Sequence, residues 1–125
     1  MGDERRVYIE KMPEHILRAE SLLQAFPDSK IIYLERHWLE VALSIENSFG
    51  SHAMNWYGYD SVKWTRALLP LALKQGLLRD TSNTPIISDT FTRGCIEWIL
   101  CQKAFDTLHP RVMRVKYIDL LTGDK

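Results

Sequence analysis

Net charge is the first thing missing from this sequence. Sixteen basic residues balance sixteen acidic ones. There is no basic stripe of the kind that tracks a nucleic-acid backbone, so nucleic acid is excluded as an expected partner. An anionic ligand has to be held by a few local groups rather than by a long-range field. Cysteine is also scarce. Cys95 and Cys101 form no C-x-x-C, no His/Cys cluster has zinc spacing, and no metal is expected. Six residues along a helix is a rotation of about 600°, which points the two thiols apart. Two buried, reduced thiols are expected, in keeping with a reducing compartment. No run approaches the roughly 18 apolar residues of a membrane span. The opening MGDERRVYIE has no apolar core of a signal peptide and lacks the Ser/Thr of a myristoylation site. No membrane segment is expected in this chain, and a cytoplasmic location is the default. A G-x-x-x-x-G-K-[ST] loop is absent too, which removes the main support for a P-loop kinase. Internal repeats, low-complexity tracts and linkers are likewise missing.

What remains is 46% hydrophobic over 125 residues, enough for one compact domain with a core. Residues 5–10 (RRVYIE) are a short extended candidate. Pro13 suits a first helical turn, and Ile16, Leu17, Ala19, Leu22, Leu23 and Phe26 mark a helical face that Pro27-Asp28 ends. Residues 30–34 (KIIYL) read as a buried parallel strand, with a loop from Glu35 to Trp38 and a helix starting at Leu39. Residues 49–60 (FGSHAMNWYGYD) lack periodicity and read as a loop or cover. Trp56, Tyr57 and Tyr59 there could stack on an adenine or cover an acceptor. Ser61 can cap a helix running to about Gln75, which Pro70 should kink or split and Gly76 should stop. Residues 79–85 are turn-like. Asp89 caps the longest helix, to about Leu108, with Phe91, Cys95, Trp98, Cys101, Phe105 and Leu108 on one face. Residues 112–117 (VMRVKY) are a third strand, and 118–125 its exit loop. This order predicts an α/β fold, a three-layer parallel sheet with flanking helices. Three strands are few for that class, so the single domain at 1–125 reads as part of a larger one.

The segment YLERHWLEVALS carries the chemistry. Arg36 stands just past the predicted strand and Ser44 eight residues on. Ligands bind α/β folds at the carboxyl ends of strands. An arginine offers a planar fork of donors to phosphate oxygens, a serine hydroxyl adds a hydrogen bond, and helix N-terminal N–H groups add partial positive charge. Taken alone, the pair fits a surface arginine and a helix-packed serine equally well.

The same segment resembles the sulfotransferase motif Arg-Asp-Pro-x-(Asp)-x-x-x-Ser. Arg36 and Ser44 fall on its polar places and Glu40 on its acidic one. FPDSKIIYLERH resembles the family's lead-in to that strand. Upstream, Glu10-Lys11-Met12-Pro13-Glu14-His15 resembles Glu-Lys-Thr-Pro-x-His/Tyr. Downstream, Tyr117 to Asp124 (YIDLLTGD) resembles Tyr-Glu-Asp-Leu-x-x-Asp-Pro. The broad group of bacterial, tyrosyl-protein and heparan-type sulfotransferases is the nearest. His37 and Trp38 stand where Asp and Pro are usual, and Met12 replaces a hydroxyl residue.

The resemblance implies a P-loop-NTPase-like core and a co-substrate, 3′-phosphoadenosine 5′-phosphosulfate (PAPS), with no metal. Arg36 and Ser44 would bind its 3′-phosphate. Lys11 would stabilise negative charge on the sulfuryl oxygens, and Glu10 and His15 are acid/base candidates for an acceptor hydroxyl. The acceptor would be a small molecule, a glycan or a peptide, and an oligomer is compatible with this size. Nothing before Arg5 resembles the family's phosphosulfate loop, so the chain reads as an internal excerpt, expected to be inactive by itself. The alternatives are a non-catalytic remnant that keeps half a nucleotide site, and a small α/β interaction domain.

Overall fold

The computed structural model describes residues 7–48, 56–57, 61–79 and 89–123. A 3-10 helix at Pro13–Arg18 leads into α1 at Ala19–Ala25. Strand β1 is Ile32–Glu35 and helix α2 is Trp38–Ser48. A π-helical segment at Trp64–Leu68 continues into α3 at Leu69–Lys74. Then come α4 at Thr90–Leu108, β2 at Met113–Lys116 and α5 at Tyr117–Thr122.

The two strands pair in parallel, with Ile32 opposite Met113 and Glu35 opposite Lys116. The parallel α/β arrangement is therefore present. A third strand is not among the described residues. Residues 7–10, the described part of the first strand candidate, join no strand among the described residues and expose Val7, Tyr8 and Ile9. Strand β1 is also not buried on both faces. Tyr33 points inward and stacks on Phe105 at 5.1 Å between ring centroids, whereas Ile32 and Leu34 are 61% and 46% exposed. Side chains alternate across a strand, so covering one face leaves the other pair open.

Helix α4 organises the interior. Ile96 and Leu100 join Ile45, Tyr57, Trp64, Leu68 and Ala72 in one hydrophobic cluster. Two turns on, Phe105 and Leu108 join Ile16, Ala19 and Val112 in a second. Each fully buried side chain of Leu or Ile size is worth about 1.5–3 kcal/mol. The buried stripe runs through Arg93, Ile96, Glu97, Leu100, Phe105 and Leu108. It is rotated from the expected one: Phe91, Cys95, Trp98 and Cys101 are only half-buried. Two polar residues within the stripe, Arg93 and Glu97, hid its true phase from a hydrophobicity pattern. At Gly94 the helix meets α2 so closely that an added Cβ would lie 2.9 Å from the Ala42 Cα.

The helix boundaries have local causes. Asp89 caps α4 by accepting from the main-chain N–H groups of Phe91 (3.3 Å) and Thr92 (3.0 Å), and it also engages the Thr92 hydroxyl. Pro70 stands in the first turn of α3, directly after the π-helical segment; Leu68 and Leu69 both keep right-handed helical geometry, so the chain runs on without the expected split and the irregularity is the π turn before the proline. Gly76, at φ 69°, ends α3: its N–H reaches Leu73 O and that of Leu77 reaches Ala72 O, the Schellman pattern. Ser61 does not act as the expected cap, since its hydroxyl accepts from Arg93 Nη1 at 2.9 Å. Tyr117, expected to end the strand, instead opens α5, and residues 118–122 are helical rather than an exit loop, with Gly123 at φ 69° stopping them. Of the expected loop at 49–60 only Trp56 and Tyr57 are described, and of the turn at 79–85 only Arg79; the rest lie outside the described residues.

Candidate functional site

The carboxyl ends of β1 and β2 lie side by side and deliver Arg36 and Tyr117 to one place. The Arg36 guanidinium lies over the Tyr117 ring, 4.6 Å from its centroid. Its Nε stands 3.6 Å from Glu40 Oε2, a partner one helical turn ahead. That is too long for a hydrogen bond, and the Nε is shielded from solvent with no hydrogen-bond partner among the described residues. The side chain as a whole is 37% exposed. A charged planar donor held on an aromatic face, with unspent hydrogen-bonding capacity, is suited to an incoming anion.

Arg36, Glu40 and Ser44 follow one another at intervals of four residues, so they lie along one ridge of the chain as it enters α2. Ser44 is exposed there, on a face turned away from Ala42 and Ile45, which are buried. His37, which replaces the usual acidic residue of the motif, serves the local structure: its Nδ1 accepts from the Leu39 N–H at 3.3 Å, capping α2. The imidazole thus does locally what an aspartate does at a helix start.

The main chain of Arg36 has its own anchor. Its carbonyl accepts from the indole N–H of Trp98 at 2.9 Å. Sequence reasoning placed Trp98 in the core and missed this contact. A separation of 62 residues leaves no local signature. Tyr117, directly after β2, is the platform under Arg36.

The upstream motif forms a second cluster. His15 Nε2 and Glu10 Oε1 are 3.8 Å apart, with His15 largely covered and Glu10 open. Lys11 is exposed just before the 3-10 helix. Glu14 in the same motif is tied to the core. Lys63 Nζ sits 2.5 Å from Glu14 Oε1 and 2.8 Å from Glu97 Oε1. The Trp56 indole donates to Glu97 Oε2 at 2.9 Å, and Lys63 Nζ lies 4.4 Å from the Trp56 ring centroid. Burial acts to raise the Glu14 carboxyl, but the hydrogen bond and charge of Lys63 outweigh it, and the net shift is downward. Burial, reinforced by the Glu97 carboxylate, raises the Tyr57 phenol far above its usual range.

Trp56 and Tyr57 therefore belong to a packed, charge-paired interior, not to an open stacking surface. Tyr59 lies outside the described residues. Burial pushes the Cys101 thiol up to about 12 and raises Cys95 as well, and both cysteines are free. Among the described residues no group of three or more His, Cys, Asp or Glu is placed to hold a metal ion. None of the described helices is long and apolar enough to cross a membrane.

Comparison with known proteins gives one match. The profile of the sulfotransferase family aligns with residues 1–80, taking in the Lys11 motif, β1 and the Arg36–Ser44 ridge. No curated protein and no solved structure matches the chain significantly. With 80 of its 125 residues covered by that profile, and with the strand–arginine–helix unit of the motif formed at the end of a parallel strand, the chain belongs to the sulfotransferase family.

Proposed function

We propose that Arg36 binds the 3′-phosphate of PAPS, with Ser44 as its second contact. The reaction is transfer of a sulfuryl group to a hydroxyl or amine of a small-molecule, glycan or peptide acceptor, leaving adenosine 3′,5′-bisphosphate. The observation that carries this reading is the Arg36 guanidinium, seated on Tyr117 at the carboxyl edge of the parallel pair on a side chain that is 37% exposed. The chemistry of that donor set fits a phosphate monoester, whose oxygens match the guanidinium fork. Lys11, exposed and flexible in its reach, is the cation assigned to the sulfuryl end. Glu10 and His15 are the groups assigned to the acceptor proton, their side chains 3.8 Å apart.

Calorimetric titration with adenosine 3′,5′-bisphosphate tests the clamp. Arg36→Ala is expected to weaken binding by roughly 10- to 100-fold, the worth of one charge-assisted hydrogen bond at about 1.5–3 kcal/mol. An unchanged affinity would refute the assignment. A sulfotransfer assay run in parallel distinguishes an enzyme from a binding remnant: tight binding without turnover favours the remnant.

A further inference from the structure

The carbonyl of Arg36 occupies an unusual place in the backbone. Strand β1 ends one residue earlier, at Glu35, and the first main-chain hydrogen bond of the following helix is from the Val41 N–H to the His37 carbonyl. The Arg36 carbonyl thus falls between the strand ladder and the helix ladder, and no main-chain N–H among the described residues claims it. Its partner is the indole N–H of Trp98, 2.9 Å away on α4. Any shift of this segment of main chain away from α4 breaks this bond, and the same shift carries the Arg36 Cα, and with it the root of the side chain, away from its place beside Tyr117.

The donor itself is firmly located. One turn before Trp98, Gly94 brings α4 against the Ala42 main chain with no room for a Cβ. One residue before it, Glu97 is fixed by Lys63 and Trp56. A half-buried indole on such a helix is a rigid post.

We infer that Trp98 is a positioning residue for phosphate binding, fixing the Arg36 peptide so that the guanidinium stays over Tyr117 and presents its open donors to the 3′-phosphate. This rests on the reading of Arg36 as the phosphate-binding group. It adds a residue that lies outside the span matched by the family profile.

The test uses the full chain and two ligands, adenosine 3′,5′-bisphosphate and adenosine 5′-monophosphate, which lacks the 3′-phosphate. The dissociation constant of the monophosphate divided by that of the bisphosphate reads the 3′-phosphate contact alone. Trp98→Phe removes the N–H and keeps an aromatic ring. Because that smaller ring could also loosen the packing, the benzothiophene analogue of tryptophan is placed at the same position in a second variant, keeping the bicyclic shape without the donor. Both variants are expected to lower the ratio about fivefold to tenfold while binding adenosine 5′-monophosphate as the wild type does. A ratio that stays at the wild-type value in both variants overturns the inference. So does a uniform loss for both ligands, which marks a packing role only. A wild-type chain with no preference for the bisphosphate refutes the Arg36 reading itself, and this inference with it. If the wild type shows the preference and Arg36→Ala abolishes it, the outcome at Trp98 stands as an independent result.

Discussion

Gly94→Ala is the most direct test of how the site is built. The added Cβ would sit 2.9 Å from the Ala42 Cα and 3.4 Å from both Ala42 Cβ and Ile45 Cδ1. Carbon atoms in contact prefer about 3.5–4.0 Å, so α2 and α4 must separate by roughly 0.6–1 Å. The obstacle is main chain on a packed helix and cannot swing aside. Overpacking of this kind costs about 1–3 kcal/mol. Against it stands the gain from replacing glycine by alanine in a helix interior, about 1 kcal/mol. The balance is a destabilisation of about 1 kcal/mol, or a fall in Tm of about 4 °C for a domain of this size. Differential scanning calorimetry of the two proteins measures it. A rise in Tm would mean that helix propensity wins, that the helices part at little cost, and that the close approach is not what locates α4. The same displacement moves Trp98 relative to the Arg36 carbonyl, so binding of adenosine 3′,5′-bisphosphate should weaken in the variant as well.

Three further outcomes are expected. Lys63→Met leaves Glu14 and Glu97 without their shared cation and should lower stability at pH 7 by about 2 kcal/mol, less than for a fully buried pair because Glu14 is partly exposed. Since the folded Glu14 carboxyl titrates below its ordinary value of 4.5, its contribution is complete above that pH and is lost as pH falls through the lowered value. The Tm gap between wild type and variant should therefore hold from pH 7 to about pH 5 and narrow as the pH falls below 4.5, and a gap that does not narrow there would count against the pairing. Glu40→Gln removes a carboxylate from beside Arg36 and should tighten adenosine 3′,5′-bisphosphate about threefold to fivefold at low salt, from the repulsion of ~0.8 kcal/mol between two charges ~5 Å apart in water; titration at two salt concentrations would show the effect fading as ions screen it. Cys101, its thiol raised to about 12, should react with a thiol reagent at pH 8 far more slowly than free cysteine in the native chain and at the ordinary rate in denaturant; equal rates would show that it is not packed as described.

Much of the local structure was legible in the residues. The apolar run before Glu35, the aspartate at 89 and the glycine at 76 each act within a few residues, and each does what its chemistry dictates. The Arg36–Ser44 ridge was legible for the same reason, being a spacing along one stretch of chain. The misreadings share a different cause. Arg93 and Glu97 sit in the buried stripe of α4 because partners more than thirty residues away satisfy them, Ser61 for one and Lys63 for the other. A pattern of hydrophobicity reads such positions as surface. Trp56 and Tyr57 looked like a binding platform because aromatics in an aperiodic stretch carry no sign of what covers them. Ile118 to Thr122 looked like an exit loop because five residues are too few to show a helical period. Trp98 was read as a core residue but is half-buried, and the use of its single polar atom depends on where another segment ends.

Helix α4 contributes to both hydrophobic clusters, two turns apart on a single rod. Neither cluster can melt while the other persists unless the helix breaks between Leu100 and Phe105, where its hydrogen-bond ladder is unbroken. Unfolding of the described domain should then be one transition, with amide hydrogens of α2, α4 and β2 exchanging through a common opening. The arginine at the strand end is tied to that rod through one indole, so ligand binding at the strand edge and protection of amides at the far end of α4 become two readings of the same equilibrium.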